Sequence, residues 1–195
     1  MTKIPTMFVR DESKNGHPVT DQVKPECQWV LDGEGIATIK LDGTNVKIQG
    51  GRPYKRQKPK SGDYDEASYV LCEEPATADR WVFEAFDNWS VSPDLKEVEI
   101  PPDGIYELIG PKVQGNPHGE PSHTLVSVVP PHPSLIMAPV FSRTFDDLKA
   151  LLSSSAAQSK ALWGIVPEGI VFHHPDGRMA KIKRRDFGLP WPVQA

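Results

Sequence analysis

An α+β fold built on antiparallel sheets is what this sequence predicts, on three observations. From Gly35, apolar residues alternate through Ile39 and Leu41 and resume at Val46 and Ile48 beyond Asp42-Gly43, the period of half-buried strands. Residues 169–173 and 179–183 flank Pro175-Asp176-Gly177, whose residue types favour a tight turn, so they read as a hairpin. Strand-like segments outnumber helical ones and are segregated rather than alternating with them, which points away from a parallel βαβ sheet. There are no internal repeats.

Taken in order, residues 1 to about 28 are polar, with scattered proline and no clear period, and predict an irregular lead-in to a single domain spanning 29–195. Two strands around a tight turn at Asp42-Gly43 follow, with Lys40 at the end of the first. Residues 57–80 are charged and interrupted by Pro and Gly, and read as a long surface excursion. The acidic residues there, Asp63, Asp65, Glu66, Glu73 and Glu74, have a spacing that fits no calcium loop. Residues 81–86 form a short helix or strand, which periodicity cannot decide. A buried strand is expected over 104–109 after the Pro101-Pro102-Asp103 turn, with further strands at 125–129 and 135–137. Thr144 is placed to cap a helix running to about Leu152, with Asp146 and Asp147 in its first turn.

The 195 residues are enough to bury a core but too few for a full second catalytic domain. A net charge of −4 excludes a broadly basic coat for nucleic acid. Two local basic patches remain, Arg52, Lys55, Arg56, Lys58 and Lys60, and then Lys181, Lys183, Arg184 and Arg185; charge runs of this kind are commonly solvated faces. Cys27 and Cys72 are too few for a disulfide scaffold and lack metal-ligand spacing. With a polar N-terminus and no apolar run of membrane-spanning length, a soluble cytoplasmic protein is expected.

Four short clusters carry the chemistry. They are Lys40-Leu41-Asp42-Gly43-Thr44, Tyr106-Glu107-Leu108-Ile109-Gly110, Glu168-Gly169-Ile170-Val171 and Lys181-Ile182-Lys183. A Lys-x-Asp-Gly string alone is ordinarily a strand entering a turn; the four in this order are a much stronger signal. A lysine amine becomes nucleophilic only when its pKa falls, which neighbouring cations such as Lys181 and Lys183, or desolvation, can accomplish.

These clusters resemble the nucleotidyl motifs of the covalent nucleotidyltransferase superfamily of polynucleotide ligases and capping enzymes. Residues 37–44, 106–117 and 168–188 look most like ATP-dependent RNA ligases, and the resemblance covers roughly residues 30 to 190. It implies an ATP-grasp-like adenylation domain, without the oligonucleotide-binding (OB) barrel that many relatives append, since only about a dozen residues follow Lys183. It further implies that Lys40 attacks the α-phosphate of ATP, that Ile39, Asp42, Gly43, Lys181 and Lys183 line the nucleotide, that Glu107 holds the ribose, and that Glu168 places Mg²⁺ or Mn²⁺. Arg52 and Arg56 both stand where the family carries an arginine on the nucleotide or acceptor phosphate, Arg56 being preferred, and Phe141 is the candidate for stacking on the base. RNA with a 5′-phosphate and a 3′-hydroxyl is the implied partner.

DNA ligases of the superfamily commonly carry arginine two residues after the first motif's glycine. Thr44 and Asn45 stand here instead, which favours RNA. The alternatives are a DNA ligase or other nucleotidyltransferase with a different acceptor, and a non-catalytic nucleotide- or RNA-binding module, which would have no need for the nucleophile. Two other signals fail. Residues 110–116 mimic a phosphate loop but lack its Lys-Ser/Thr ending, and His173 and His174, adjacent on a strand, point to opposite faces and are assigned structural roles.

Overall fold

The computed structural model describes residues 3–57, 69–74, 79–89, 101–138 and 141–193. Helices and antiparallel sheets are mixed, in two compact units: residues 1–3 with 42–132, and residues 4–41 with 133–195.

The discontinuous unit holds β1 (Phe8–Arg10), β2 (Val19–Val23), α1 (Gln28–Leu31), β3 (Ile36–Lys40), α3 (Phe145–Leu152), α4 (Ala156–Trp163), β9 (Gly169–His173) and β10 (Met179–Lys183). Its three-stranded sheet runs β10-β9-β3, antiparallel throughout. Pleating places Ala37, Ile39, Ile170, Phe172, Ala180 and Ile182 on one face, each 4 % exposed or less. The opposite face carries Thr38, Lys40, Gly169, Val171, Lys181 and Lys183. The β9–β10 hairpin has the predicted bounds and turns at Gly177, which adopts φ 92°. The helix over 145–152 is also as predicted: Thr144 accepts from the Asp147 amide, and Asp146 and Asp147 sit in the first turn.

Gly169 lies opposite Lys40 on one side and Lys183 on the other. A Cβ there would stand 2.2 Å from the Ile182 carbonyl oxygen and 2.8 Å from Lys183 Cα. Glycine is required for the strands to close at this point.

Several expectations need correction here. The irregular lead-in is structured: β1 and β2 pair antiparallel, and Phe8 is fully buried, its ring 5.2 Å from Phe145 at an edge-on angle. Strands of three and five residues are too short to show a period. The strand expected over 135–137 is a 3-10 turn at Pro133–Leu135, followed by an isolated bridge from Ile136 to Thr38. Helix α4 was not anticipated because its apolar residues follow no helical period. Its ends were readable, as a Ser155/Gln158 capping box and a left-handed Gly164.

The continuous unit holds β4 (Thr44–Gln49), β5 (Arg52–Arg56), β6 (Tyr69–Leu71), α2 (Arg80–Trp89), β7 (Gly104–Ile109) and β8 (Thr124–Val129). Its antiparallel sheet has the order β6-β5-β4-β7-β8. Gly50 and Gly51, with φ of 57° and 70°, make the two-residue turn between β4 and β5, where both central positions need positive φ. The core gathers Val46, Ile48, Tyr106, Leu108 and Leu125 with Val82 and Ala85 of α2. Residues 81–86 are therefore helical, with the buried pair three apart as a helix face demands.

Both strands expected around Asp42-Gly43 exist, but β3 and β4 belong to different sheets, so the turn is a connection rather than a hairpin. The surface excursion contains the edge strand β6; Lys58, Lys60, Asp63, Asp65 and Glu66 lie outside the described residues. No helix among the described residues is long and apolar enough to cross a membrane. Gly169→Ala is expected to lower stability by about 1–3 kcal/mol, the usual range for overpacking, as read by urea melts of the two proteins.

Candidate active site

The sheet β10-β9-β3 brings four of the sequence-predicted residues together. Lys40, ending β3, donates from Nζ to Glu168 Oε2 at 2.5 Å and to the Leu41 carbonyl at 3.0 Å. Lys183 Nζ lies 3.4 Å from the other carboxylate oxygen, Oε1. Lys181 pairs with Val171, and Val171 with Thr38, one row along the same face. The backbone of Glu168 is fixed from both sides: its amide donates to the Lys40 carbonyl at 3.0 Å, and its carbonyl accepts from the Arg184 amide at 2.9 Å.

Electrostatics follow from this placement. Burial of Glu168, only 6 % exposed, opposes its ionisation, yet the charge and hydrogen bond of Lys40 and then Lys183 outweigh burial and hold the carboxyl below its ordinary range. Lys181 goes the other way. Burial, reinforced by the Lys40 and Lys183 charges, lowers it to about 8, against the pull of Asp186 and Glu168. Three ammonium groups facing one carboxylate leave an excess of two positive charges, suited to a polyphosphate.

Arg184, grouped by sequence with a surface basic patch, is 2 % exposed. It donates to the Pro167 carbonyl at 3.0 Å, to the Ser154 carbonyl at 3.2 Å and to Ser159 Oγ at 3.1 Å, buttressing the turn into Glu168. Nothing in the linear pattern separated it from exposed Arg185. Ile39 is buried on the core face, 4 % exposed. Phe141 is half-buried beside Arg143, whose guanidinium lies 5.8 Å from its ring and 5.3 Å from that of Phe172, a residue of the face opposite Lys40. His173 Nε2 sits 3.0 Å from Thr38 Oγ1, and His174 lies 2.7 Å from Glu34 and from Asp176.

In the continuous unit a second group of predicted residues assembles around the first motif's turn. The Gly43 amide donates to Glu107 Oε1 at 3.1 Å, and the Asp42 amide to His118 Nε2 at 2.9 Å. Gln114 Nε2 reaches the Gly43 carbonyl at 3.4 Å. A Cβ on Gly43 would stand 2.2 Å from the Leu108 carbonyl oxygen, so the close approach of β7 requires glycine. His118 and Gln114 escaped the sequence reading because they work through backbone atoms from a loop whose partner is some seventy residues away.

Cross-strand register separates the two candidate arginines. Arg56 pairs with Tyr69, Asn45 with Glu107, and the Val46–Lys55 pairing puts Arg56 opposite Asn45 one step further on. Tyr69, Arg56, Asn45 and Glu107 thus form one row on one face, with the Tyr69 hydroxyl donating to Asn45 Oδ1 at 2.5 Å. Arg52 pairs with Gln49 at the other end of β5, roughly 13 Å away at the usual rise per residue. Lys55 lies on the Val46 face of the sheet and donates at 2.8 Å to both oxygens of Asp79, itself 1 % exposed, so its ammonium is committed to an ion pair although the side chain stays partly exposed. Among the described residues no cluster of three His, Cys, Asp or Glu side chains could hold a metal.

Residues 95–195, just over half of the chain, match the family model for RNA ligase 1. No curated protein matches. Among solved structures, the chain is similar to a lysine-to-alanine mutant of Naegleria gruberi RNA ligase with ATP and Mn, at 14% identity and TM-score 0.46. It is also similar to Naegleria gruberi RNA ligase with PPi, at 15% identity and TM-score 0.43. Each comparison covers 94% of this chain, which spans 58% of the length of those ligases.

Because the folded pKa of Lys181 lies near 8 and its ordinary value is 10.5, the unfolded state holds that proton more tightly and stability rises with pH between the two values. Lys181→Met is therefore expected to be more stable than the wild type near neutral pH, and the gap to close as the pH is raised to about 10; urea melts of both proteins across that range check the sign.

Proposed function

The chain belongs to the RNA ligase 1 family, and we propose that it is an ATP-dependent RNA ligase acting through a covalent lysyl-AMP on Lys40. The observation that carries this reading is the cluster in which Lys40 Nζ lies 2.5 Å from Glu168, with Lys183 on the same carboxylate and Lys181 on the same face. A module that only bound nucleotide could use the cations but would have no need for a nucleophile at the end of β3.

In the first step the Lys40 amine, having lost its proton, forms a bond to the α-phosphorus of ATP. The bond to the bridging oxygen breaks and pyrophosphate leaves. Lys181 and Lys183 neutralise the charge that develops on the phosphoryl oxygens and the leaving group. The 5′-phosphate of RNA then attacks the same phosphorus and displaces Lys40, which recovers its proton. Finally the RNA 3′-hydroxyl attacks the 5′-phosphorus, AMP leaves, and a phosphodiester is sealed.

Glu168 suits a divalent cation. It stays ionised although buried, and its oxygens become available to the ion as Lys40 and Lys183 turn to the phosphates. A single carboxylate is the donor set that Mg²⁺ or Mn²⁺ completes with water and phosphate oxygens, and the ion bound there would add charge neutralisation at the phosphates. Glu107 is assigned to the ribose hydroxyls and Arg56, in the same row, to a phosphate by bidentate contact. Asp42 and Gly43 are assigned to the nucleotide through the turn they form, Ile39 through its backbone, and Phe141 to the base; the row containing Glu107 favours Arg56 over Arg52.

Incubation with Mg²⁺ and α-labelled ATP is expected to leave denaturation-resistant label on the wild type. Lys40→Ala and Lys40→Arg should take up none, and Glu168→Gln should lose at least about a hundredfold in labelling rate, the scale of a lost charge-stabilising group. Absence of label on the wild type sinks the mechanism.

A further inference from the structure

Resting on the reading of Lys181 and Lys183 as phosphate-binding groups, we infer that Arg10, on the N-terminal strand, is a positioning residue for the Lys181–Lys183 strand, acting through the buried carboxylate of Asp186. The N-terminal segment runs alongside β10. The Met7 amide donates to the Lys181 carbonyl at 2.9 Å, and the Lys181 amide to the Pro5 carbonyl at 2.9 Å. Both backbone hydrogen-bonding groups of Lys181 are thus engaged by residues 5–7, in a parallel bridge centred on Thr6.

Beyond this bridge the clasp becomes ionic. Asp186, 2 % exposed, accepts from the Lys183 amide at Oδ2 (2.9 Å) and from Arg10 Nη2 at Oδ1 (2.5 Å). Arg10 is itself aimed by bonds to the His17 carbonyl (2.9 Å) and Thr6 Oγ1 (3.3 Å). Phe8 packs beside it against Phe145 and against Phe187, the residue that follows Asp186. A buried carboxylate that loses its cation must either be protonated or move to water. Either change alters the acceptor of the Lys183 amide, and with it the place where Lys183 meets Glu168.

The consequence is specific. Without Arg10 the two lysines are still present but less well ordered, so affinity for the triphosphate falls more than the rate at saturation. Arg10→Ala is expected to raise the ATP concentration for half-maximal Lys40 labelling about tenfold, as for loss of one charge-assisted contact, with the saturating rate within about twofold. Arg10→Lys, which keeps a cation in reach of Asp186, should restore most of the effect. Val30→Ala, a fully buried position on α1, serves as a control that lowers melting temperature away from Arg10 and Asp186, and should leave half-saturation unchanged.

Amide hydrogen exchange at Lys181 and Lys183 gives a readout that needs no turnover, with faster exchange expected in Arg10→Ala and not in Val30→Ala. Unchanged half-saturation and unchanged exchange in Arg10→Ala overturn the inference, as does an equal rise in Val30→Ala. If the wild type takes up no label, the ligase reading falls, and exchange at the two lysine amides alone decides whether the clasp exists.

Discussion

One buried carboxylate sets the terms for the candidate site. Glu168 would be costly to ionise away from water, and it remains ionised because Lys40 and Lys183 each offer it an ammonium group. Those two lysines reach it only because their strands close on either side of Gly169, where no side chain could be fitted. The Glu-Gly pair is thus a single device, with the acid supplying charge and the glycine supplying space. Arg184 and Asp186 continue it downstream, one buttressing the turn into Glu168 and the other bonding the amide of Lys183.

The turn after β3 follows a related logic. Successive amides of Asp42 and Gly43 are each given an acceptor, His118 and Glu107, and Gly43 again stands where a β-carbon would collide with a neighbouring strand. Because His118 accepts at Nε2, its ring proton resides on Nδ1. A side chain that accepts from a backbone amide fixes geometry without competing for a ligand's charge.

How much of this could be read from the linear chain depended on the range of the interaction. The hairpin at 169–183 and the helix at 145–152 were legible because alternation, a turn tripeptide and a threonine cap are local signals. The lysine and glutamate positions were legible as a spaced set of motifs. The burial of Arg184, the docking of Phe8 and Arg10, and the roles of His118 and Gln114 were not, since each rests on a partner far along the chain that no local pattern names. The Lys55–Asp79 pair was hidden for the same reason: the neighbours of Lys55 in sequence are basic, and its acidic partner stands 24 residues on. The connection at Asp42-Gly43 shows the limit from another direction, for turn chemistry announced a reversal but not that the chain changes sheets.

The discontinuous unit is built from residues 4–41 and 133–195, with all of 42–132 inserted between them. Joining Lys40 to Glu168 closes a segment 128 residues long, a loop-closure cost of roughly 4 kcal/mol for a flexible chain. The Thr38–Ile136 bridge, within the discontinuous unit, already joins the two flanks of the insertion and shortens the loop that remains. On the ribosome the order is fixed: residue 40 is made before residue 168, and residue 168 before residue 183. The cluster of Lys40, Glu168, Lys181 and Lys183 is therefore assembled only after all of the inserted unit has been synthesised and residue 183 has joined its sheet.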